Sequence, residues 1–343
     1  MATPIGGRSY LFARPPVLRG WAAVGSKREG EGPLGGEFDA IEPDSTFGQK
    51  SWERAESFLH HKVLELAVAK AGLSYADLRA ILAGDLLDQC TGSTFAVREL
   101  NVPYLGIYGA CSTMAEGLFL AGFLTEGSMA PVAVSTASHF CTAERQYRFP
   151  LEYGGQRTPT SQWTATGGGA VVLGGEGGSG PVLLGGTAGA VEDLGIKDAA
   201  NMGAAMAPAA AATLGRFFAD TGTVPADYDL VVTGDLGAVG SELLYALTER
   251  EGLQLRGHHT DCGLLLYDRE RQDVHAGGSG CGCCASVLCA HLLPALAAGE
   301  LRRIVFAATG ALLSPTSSQQ GESIPGVCHA VCLAAGEEDS LWK

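Results

Sequence analysis

Short apolar runs recur along the chain, each closed by glycine and an acidic residue or by small residues, with longer stretches of helical spacing between them. Residues 78–87 read LRAILAGDLL and residues 228–237 read YDLVVTGDLG, so two runs close on the same Gly-Asp-Leu. The two aspartates, Asp85 and Asp235, lie 150 positions apart (235 − 85). A helix-like stretch precedes each run, from Trp52 to Ala71 in the first case and from Ala204 to Ala219 in the second. The echo continues in LTEGSMAPVAVSTA (124–137) and LAAGELRRIVFAATGA (296–311). Both read as a helix end, a glycine turn and a β-branched run that closes on small residues.

A small-residue turn feeding a helix lies upstream of each of these, at Tyr108-Gly-Ala-Cys-Ser-Thr and at Gly278-Ser-Gly-Cys-Gly-Cys. The second copy carries extra residues between the markers. They fit a hairpin-like segment from His259 to His275, with CGLLLY as a strand and Asp268 to Gln272 as its turn. The pattern therefore predicts a duplicated chain, residues 1–177 and 178–343, joined near the glycine-rich stretch Gly174 to Gly180. Strands alternating with helices predict sheets with helices on their faces. The helices that begin at Cys111 and near Cys281 are apolar nearly all round, as expected of helices buried on every side. The apolar run Cys281 to Gly299 approaches membrane-spanning length, but small residues, His291 and Pro294 favour a core helix.

Composition narrows the function. Of 343 residues, 46% are hydrophobic and 17% charged, enough for a large core. A net charge of −14 argues against nucleic acid, which needs a basic footprint. Residues 1–18 hold Arg8, Arg14 and three prolines, which is no signal-peptide pattern. The ten cysteines sit mostly in apolar company and read as reduced core residues. Cys281-Gly-Cys-Cys holds one C-x-x-C without a second, which leaves a zinc site unsupported.

Several positions stand out as candidate chemistry. Cys111 follows the strand-like run Pro103 to Tyr108 and precedes a helix, where the helix N-terminus is expected to favour its thiolate. His139 closes the strand VAVSTASH, at the carboxyl end where α/β folds place binding groups. Asp85 has a twin in Asp235 and reads as a cap for the turn that follows, whereas Asp88 has none and is the better candidate for function. Arg145 and Arg148 lie in a polar stretch, residues 141–169, long enough to be a functional loop and able to fork onto a carboxylate.

A duplicated α/β chain with a cysteine at a buried helix start resembles the thiolase and ketoacyl-synthase superfamily. The nucleophile position of that superfamily falls on Cys111. The thiolase signature G-H-P-x-G-x-S-G falls on Gly278-Ser-Gly-Cys-Gly-Cys-Cys-Ala, which puts Ser279 where the catalytic histidine stands. The second cysteine falls on or next to Ala308, and the remaining Asn or His falls near Gly234-Asp235. The resemblance implies an α/β fold of thiolase-like duplicated type, two mixed sheets layered with helices as α-β-α-β-α. It also implies that the partners of the nucleophile are replaced, which points away from catalysis.

Longer segments are similar to the stage V sporulation protein AD family of endospore-forming bacteria. They include GPLGGEFD (32–39), QKSWERAE (49–56), GACST (109–113), TAERQYRFPLEYGGQ (142–156), NMGAAMAPAA (201–210), DCGLLLYD (261–268) and ATGALLSPTSSQQGESIP (308–325). That resemblance implies binding of dipicolinic acid (pyridine-2,6-dicarboxylate), alone or with calcium, and no other cofactor. It implies work beside other stage V sporulation operon proteins, membrane proteins among them, at the inner spore membrane or in the forespore. A homodimer is expected from the thiolase-type fold. On this reading Cys111 floors the pocket, Ser279 and His139 donate hydrogen bonds, Arg145 clamps a carboxylate, and Asp88 orients a donor or contacts calcium. The alternatives are a coenzyme A thioester-dependent acyltransferase with Cys111 as nucleophile, and a scaffold without a ligand.

Overall fold

The computed structural model describes residues 2–147, 157–174, 179–336 and 342. It contains two mixed sheets. The first runs in spatial order Ala40–Glu42, Leu18–Ser26, Gly167–Leu173, Val132–Ser138, Ala80–Gly84, Tyr104–Gly106. The second runs Thr3–Pro4, Ser9–Leu11, Val182–Thr187, Gly326–Ala334, Arg303–Ala311, Leu230–Thr233, His259–Asp261. The duplication is visible in strand direction. In the first sheet, Leu18–Ser26, Gly167–Leu173 and Val132–Ser138 pair antiparallel in turn, and Ala80–Gly84 and Tyr104–Gly106 then add in parallel. In the second, Val182–Thr187, Gly326–Ala334, Arg303–Ala311, Leu230–Thr233 and His259–Asp261 repeat that succession.

Side-chain alternation explains why both faces of each sheet are covered. Ala80 and Leu82 point into the central core, while Ile81 and Ala83 point to the outer helix Trp52–Lys70. Ile304, Phe306 and Ala308 likewise face the centre, and Val305 and Ala307 face the outer helix Met202–Thr221. Both outer helices start on side-chain caps, Ser51 accepting from the Arg54 N–H and Asn201 from the Ala204 N–H. Between the sheets lies the helix Thr113–Glu126, which buries Met114, Ala115, Leu118 and Phe119. Beside it lies the segment Cys281–Ala297, continuous through a π turn at Leu288–Leu292. The layers are thus helix, sheet, helices, sheet, helix.

The boundary between residues 177 and 178 touches positions outside the described ones. The amino-terminal strand Ser9–Leu11 crosses over to pair with Val182–Thr187 of the second sheet. Two local expectations need correction. CGLLLY is not a strand: Cys262–Leu266 is a short helix, capped by Asp261, whose side chain accepts from the Gly263 N–H at 3.0 Å. An apolar run of that length reads alike for either element, and the cap decides. The polar stretch 141–169 is not one loop either. It begins inside the helix Phe140–Tyr147 and ends in the strand Gly167–Leu173. Arg148 lies outside the described residues.

Candidate functional site

Cys111 sits in a single turn, Ala110–Ser112, that leads into the central helix. Ala110 has φ +49°, a left-handed conformation that costs an L-residue roughly 1 kcal/mol. Local hydrogen bonds hold it there. The Ser112 hydroxyl donates to the Gly109 carbonyl at 2.7 Å, and the Thr113 hydroxyl to that of Ala110 at 2.6 Å. The strand Arg303–Ala311 presses on this turn through Gly310, where any Cβ would overlap the Gly109 carbonyl oxygen.

Asp235 lies beside Cys111 and is completely buried. Its carboxylate accepts from the Ser279 hydroxyl at 3.0 Å, the Gly280 N–H at 2.9 Å and the Thr309 hydroxyl at 3.0 Å, and it also pairs with the Cys111 thiol. Burial raises the carboxyl above its ordinary range, against the pull of these donors. Burial also pushes the Cys111 thiol well up, and the Asp235 charge pushes it further. The expectation of a helix-stabilised thiolate is therefore overturned. A desolvated thiol beside a carboxylate keeps its proton, and the tight turn takes up the Ser112 N–H on the Gly109 carbonyl at 3.0 Å.

Above Cys111 lies a narrow cleft with a cavity volume of about 30 Å³, room for a water or two, so a small molecule would enter it by displacing side chains. Ser279, Thr164, Glu144, Tyr108 and Tyr147 supply its polar lining, and Leu86, Ala110, Ala143, Met202, Ala311 and Leu313 the apolar part. Tyr147 donates to the Leu86 carbonyl and meets the Tyr108 hydroxyl at 3.0 Å. Burial holds the Tyr108 phenol at about 12. Glu144 is buried and accepts from the Thr164 hydroxyl at 3.0 Å. Among the described lining residues there is no lysine or arginine.

The five sequence candidates separate in space. Cys111 and Ser279 line the cleft together. Asp88 is exposed at its margin, its N–H on Gln146 Oε1 at 3.3 Å, and its charge reaches the two tyrosine phenols. His139 lines a different cavity. Its Nδ1 accepts from the Cys141 N–H at 3.1 Å and its Nε2 donates to the Ser45 carbonyl at 2.8 Å, so burial keeps the ring neutral. Arg145 is turned toward helix Trp52–Lys70, paired with Glu53 and 5.7 Å from the centre of the Trp52 ring, and it does not line the cleft. Asp85 does cap its turn, accepting from the Leu87 N–H at 2.9 Å and the Ser93 N–H at 2.7 Å. Asp235 is the residue that sequence reasoning undervalued: read as the twin of a cap, it is the hub of the Cys111 site. The only sequence signal was its place beside the Asn-or-His position of the thiolase pattern.

The model of the family described as stage V sporulation protein AD (SpoVAD) matches residues 6–334. The chain belongs to that family. Stage V sporulation protein AD of Bacillus subtilis (strain 168) is 42% identical over 327 residues, 95% of this chain and 96% of its own. Solved structures share the fold at low identity. OleA of Xanthomonas campestris has a TM-score of 0.60 at 14% identity, over 94% of this chain and 99% of its own. The 3-oxoacyl-[acyl-carrier-protein] synthase III of Aquifex aeolicus has 0.55 at 14%, over 93% and 99%. The fold is thus thiolase-like, and SpoVAD membership gives the chain a role in sporulation. Among the described residues, no helix is long and apolar enough to cross a membrane, and no cluster of His, Cys, Asp and Glu is arranged to hold a metal ion.

Proposed function

We propose that this chain is a non-catalytic binding protein for dipicolinic acid, which it holds in the cleft above Cys111 and helps load into the developing spore. One observation carries the non-catalytic part. Asp235 draws to itself the Ser279 hydroxyl, the Gly280 N–H, the Thr309 hydroxyl and the Cys111 thiol. Acyl transfer needs a thiolate, a base to take its proton and free donors for an oxyanion. Here the carboxylate keeps the thiol protonated and the nearest donors are already engaged. Ser279, where the superfamily has histidine, cannot take the proton.

The cleft is walled by apolar and aromatic groups with hydroxyls from Tyr108, Thr164 and Ser279 near them, and a small flat ligand would open it by moving these side chains. With Glu144 on its wall and no described cation, it suits the diacid accompanied by calcium better than the bare dianion, because the chelate has no net charge. The chain would act with membrane proteins of the same operon at the inner spore membrane, since an acidic protein needs a partner to stay at an anionic surface. A homodimer through the edge strand Tyr104–Gly106 is consistent with its outer position in the first sheet and with exposed Leu105 and Tyr108.

Calorimetric titration with pyridine-2,6-dicarboxylate, with and without calcium, beside the 2,5-isomer and a Cys111→Ala variant, tests the reading. Selective binding weakened by the substitution supports it. No heat with either isomer under either condition sinks it in favour of a scaffold. A stable acyl adduct on Cys111 after incubation with acyl-coenzyme A, read by mass spectrometry, would sink it in favour of the acyltransferase.

A further inference from the structure

Among the described residues that line the Cys111 cleft, all but three are buried. Tyr108 is 41% exposed, and Tyr147 and Met202 are half-buried. These three side chains therefore form the mouth, and the others form its floor and walls. At a cavity volume of about 30 Å³ the mouth is shut, because an aromatic ring does not fit unless one of the three moves.

The two tyrosines are held unequally. Tyr147 ends the helix Phe140–Tyr147, and its hydroxyl donates to the Leu86 carbonyl. A phenol has one proton to give, so in the bond between the two phenols, 3.0 Å long, Tyr108 donates and Tyr147 accepts. Burial holds the Tyr108 phenol at about 12, so it keeps the proton it donates. Tyr147 thus ties Tyr108 to the turn that follows the strand Ala80–Gly84, and it also packs against the apolar group of Leu86, Cys111 and Cys281. Tyr108 has less to hold it. Among the described residues its bond to Tyr147 is its one side-chain hydrogen bond, and it is the most exposed residue of the lining.

We propose that Tyr108 is the moving leaf of a gate over the Cys111 cleft and Tyr147 its fixed post, so that a ligand enters when the Tyr108 hydroxyl releases Tyr147 and the ring turns out to solvent. One neutral hydrogen bond between partly exposed groups favours the shut state by about two- to tenfold, and an exposed side chain flips fast once its bond is broken. The latch is therefore weak enough to open often and strong enough to keep Cys111 covered most of the time. Met202 is unbranched and adapts its shape to what passes. That pyridine-2,6-dicarboxylate is the entering ligand rests on the function proposed above, whereas the gate itself does not.

The test reads iodoacetamide alkylation of Cys111 on its peptide at fixed pH, in wild type, Tyr108→Phe, Tyr147→Phe, the double variant and Tyr108→Ala. Cys328, fully buried in the strand Gly326–Ala334, reports global unfolding in the same digest. The expected result is a Cys111 rate raised about two- to tenfold in either Phe variant, no higher in the double variant than in Tyr147→Phe because one latch serves both, and highest in Tyr108→Ala, with the Cys328 rate unchanged. Tyr108 is exposed, so its two variants stand as the test if Tyr147→Phe fails to fold. Wild-type Cys111 rates in Tyr108→Phe and Tyr108→Ala overturn the gate, and so does a Cys328 rate that rises in step. In stopped flow with calcium, the association rate of pyridine-2,6-dicarboxylate should rise by the same factor as the alkylation rate. Faster alkylation with no binding of that ligand leaves the gate standing and removes the function proposed for the cleft. Ligand binding with unchanged alkylation does the reverse.

Discussion

Replacing Asp235 by asparagine isolates the effect of one buried charge on the Cys111 thiol. The substitution keeps the shape and removes the charge. The thiol and carboxylate are hydrogen-bonded, so their charged forms would lie roughly 4 Å apart, and at an effective dielectric constant of about 20 they repel by about 4 kcal/mol. The burial of Cys111 remains, so its pKa should fall and still lie above that of a free thiol. The assay is the rate of iodoacetamide alkylation at Cys111 across roughly pH 6–11, read on its peptide by mass spectrometry so that the other nine cysteines do not interfere. Some stability is also expected to go, because an amide cannot accept from all the donors that Asp235 serves, at about 1–3 kcal/mol for a buried donor left alone. Circular dichroism would show that the fold persists. An alkylation profile that stays in place or moves to higher pH would refute the claim that Asp235 holds the thiol protonated.

Three further outcomes are expected. Asp261 is fully buried and its carboxyl is pushed up to about 7 by burial, so between about pH 4 and 7 the folded chain keeps a proton that the unfolded chain loses. Its contribution to stability is therefore full below the unfolded pKa and lost as pH rises through about 7; in urea melts, the deficit of Asp261→Asn relative to wild type should shrink over that window, and a constant deficit would count against it. Gly310→Ala places a methyl group against the Gly109 carbonyl and should displace the Cys111 turn, lowering both melting temperature and ligand affinity; wild-type affinity would show that the turn tolerates the intrusion. Arg145→Ala removes a half-exposed pair with Glu53 and should cost less than about 1 kcal/mol in a denaturant melt, with no change in dipicolinate titration; a clear loss of affinity would return Arg145 to the site.

The duplicated pattern was legible because hydrophobic periodicity is a local property. The two Gly-Asp-Leu runs, the outer helices and the two all-apolar central helices each declare their burial within a few turns of chain. Cys111 and Ser279 were legible because the turns that carry them have small-residue signatures, and the structure brings both to one cleft. CGLLLY was misread because its apolar content suits a buried helix as well as a strand, and the Asp261 cap that decides between them acts through side-chain geometry.

By itself, the sequence determined the layers, the repeat and the reduced, acidic character of the chain, all of which follow from the order and kind of nearby residues. Only the tertiary structure decided what Asp235 does. Its twin Asp85 caps a turn with neighbours two and eight residues away, whereas Asp235 binds groups 44, 45 and 74 positions distant. Likewise Arg145 and His139 read as site residues until packing turned one to Glu53 and the other into a second cavity. Where a side chain points, and whether burial or a helix terminus governs its proton, depends on contacts between distant segments, and those exist only once the two sheets close on the central helices.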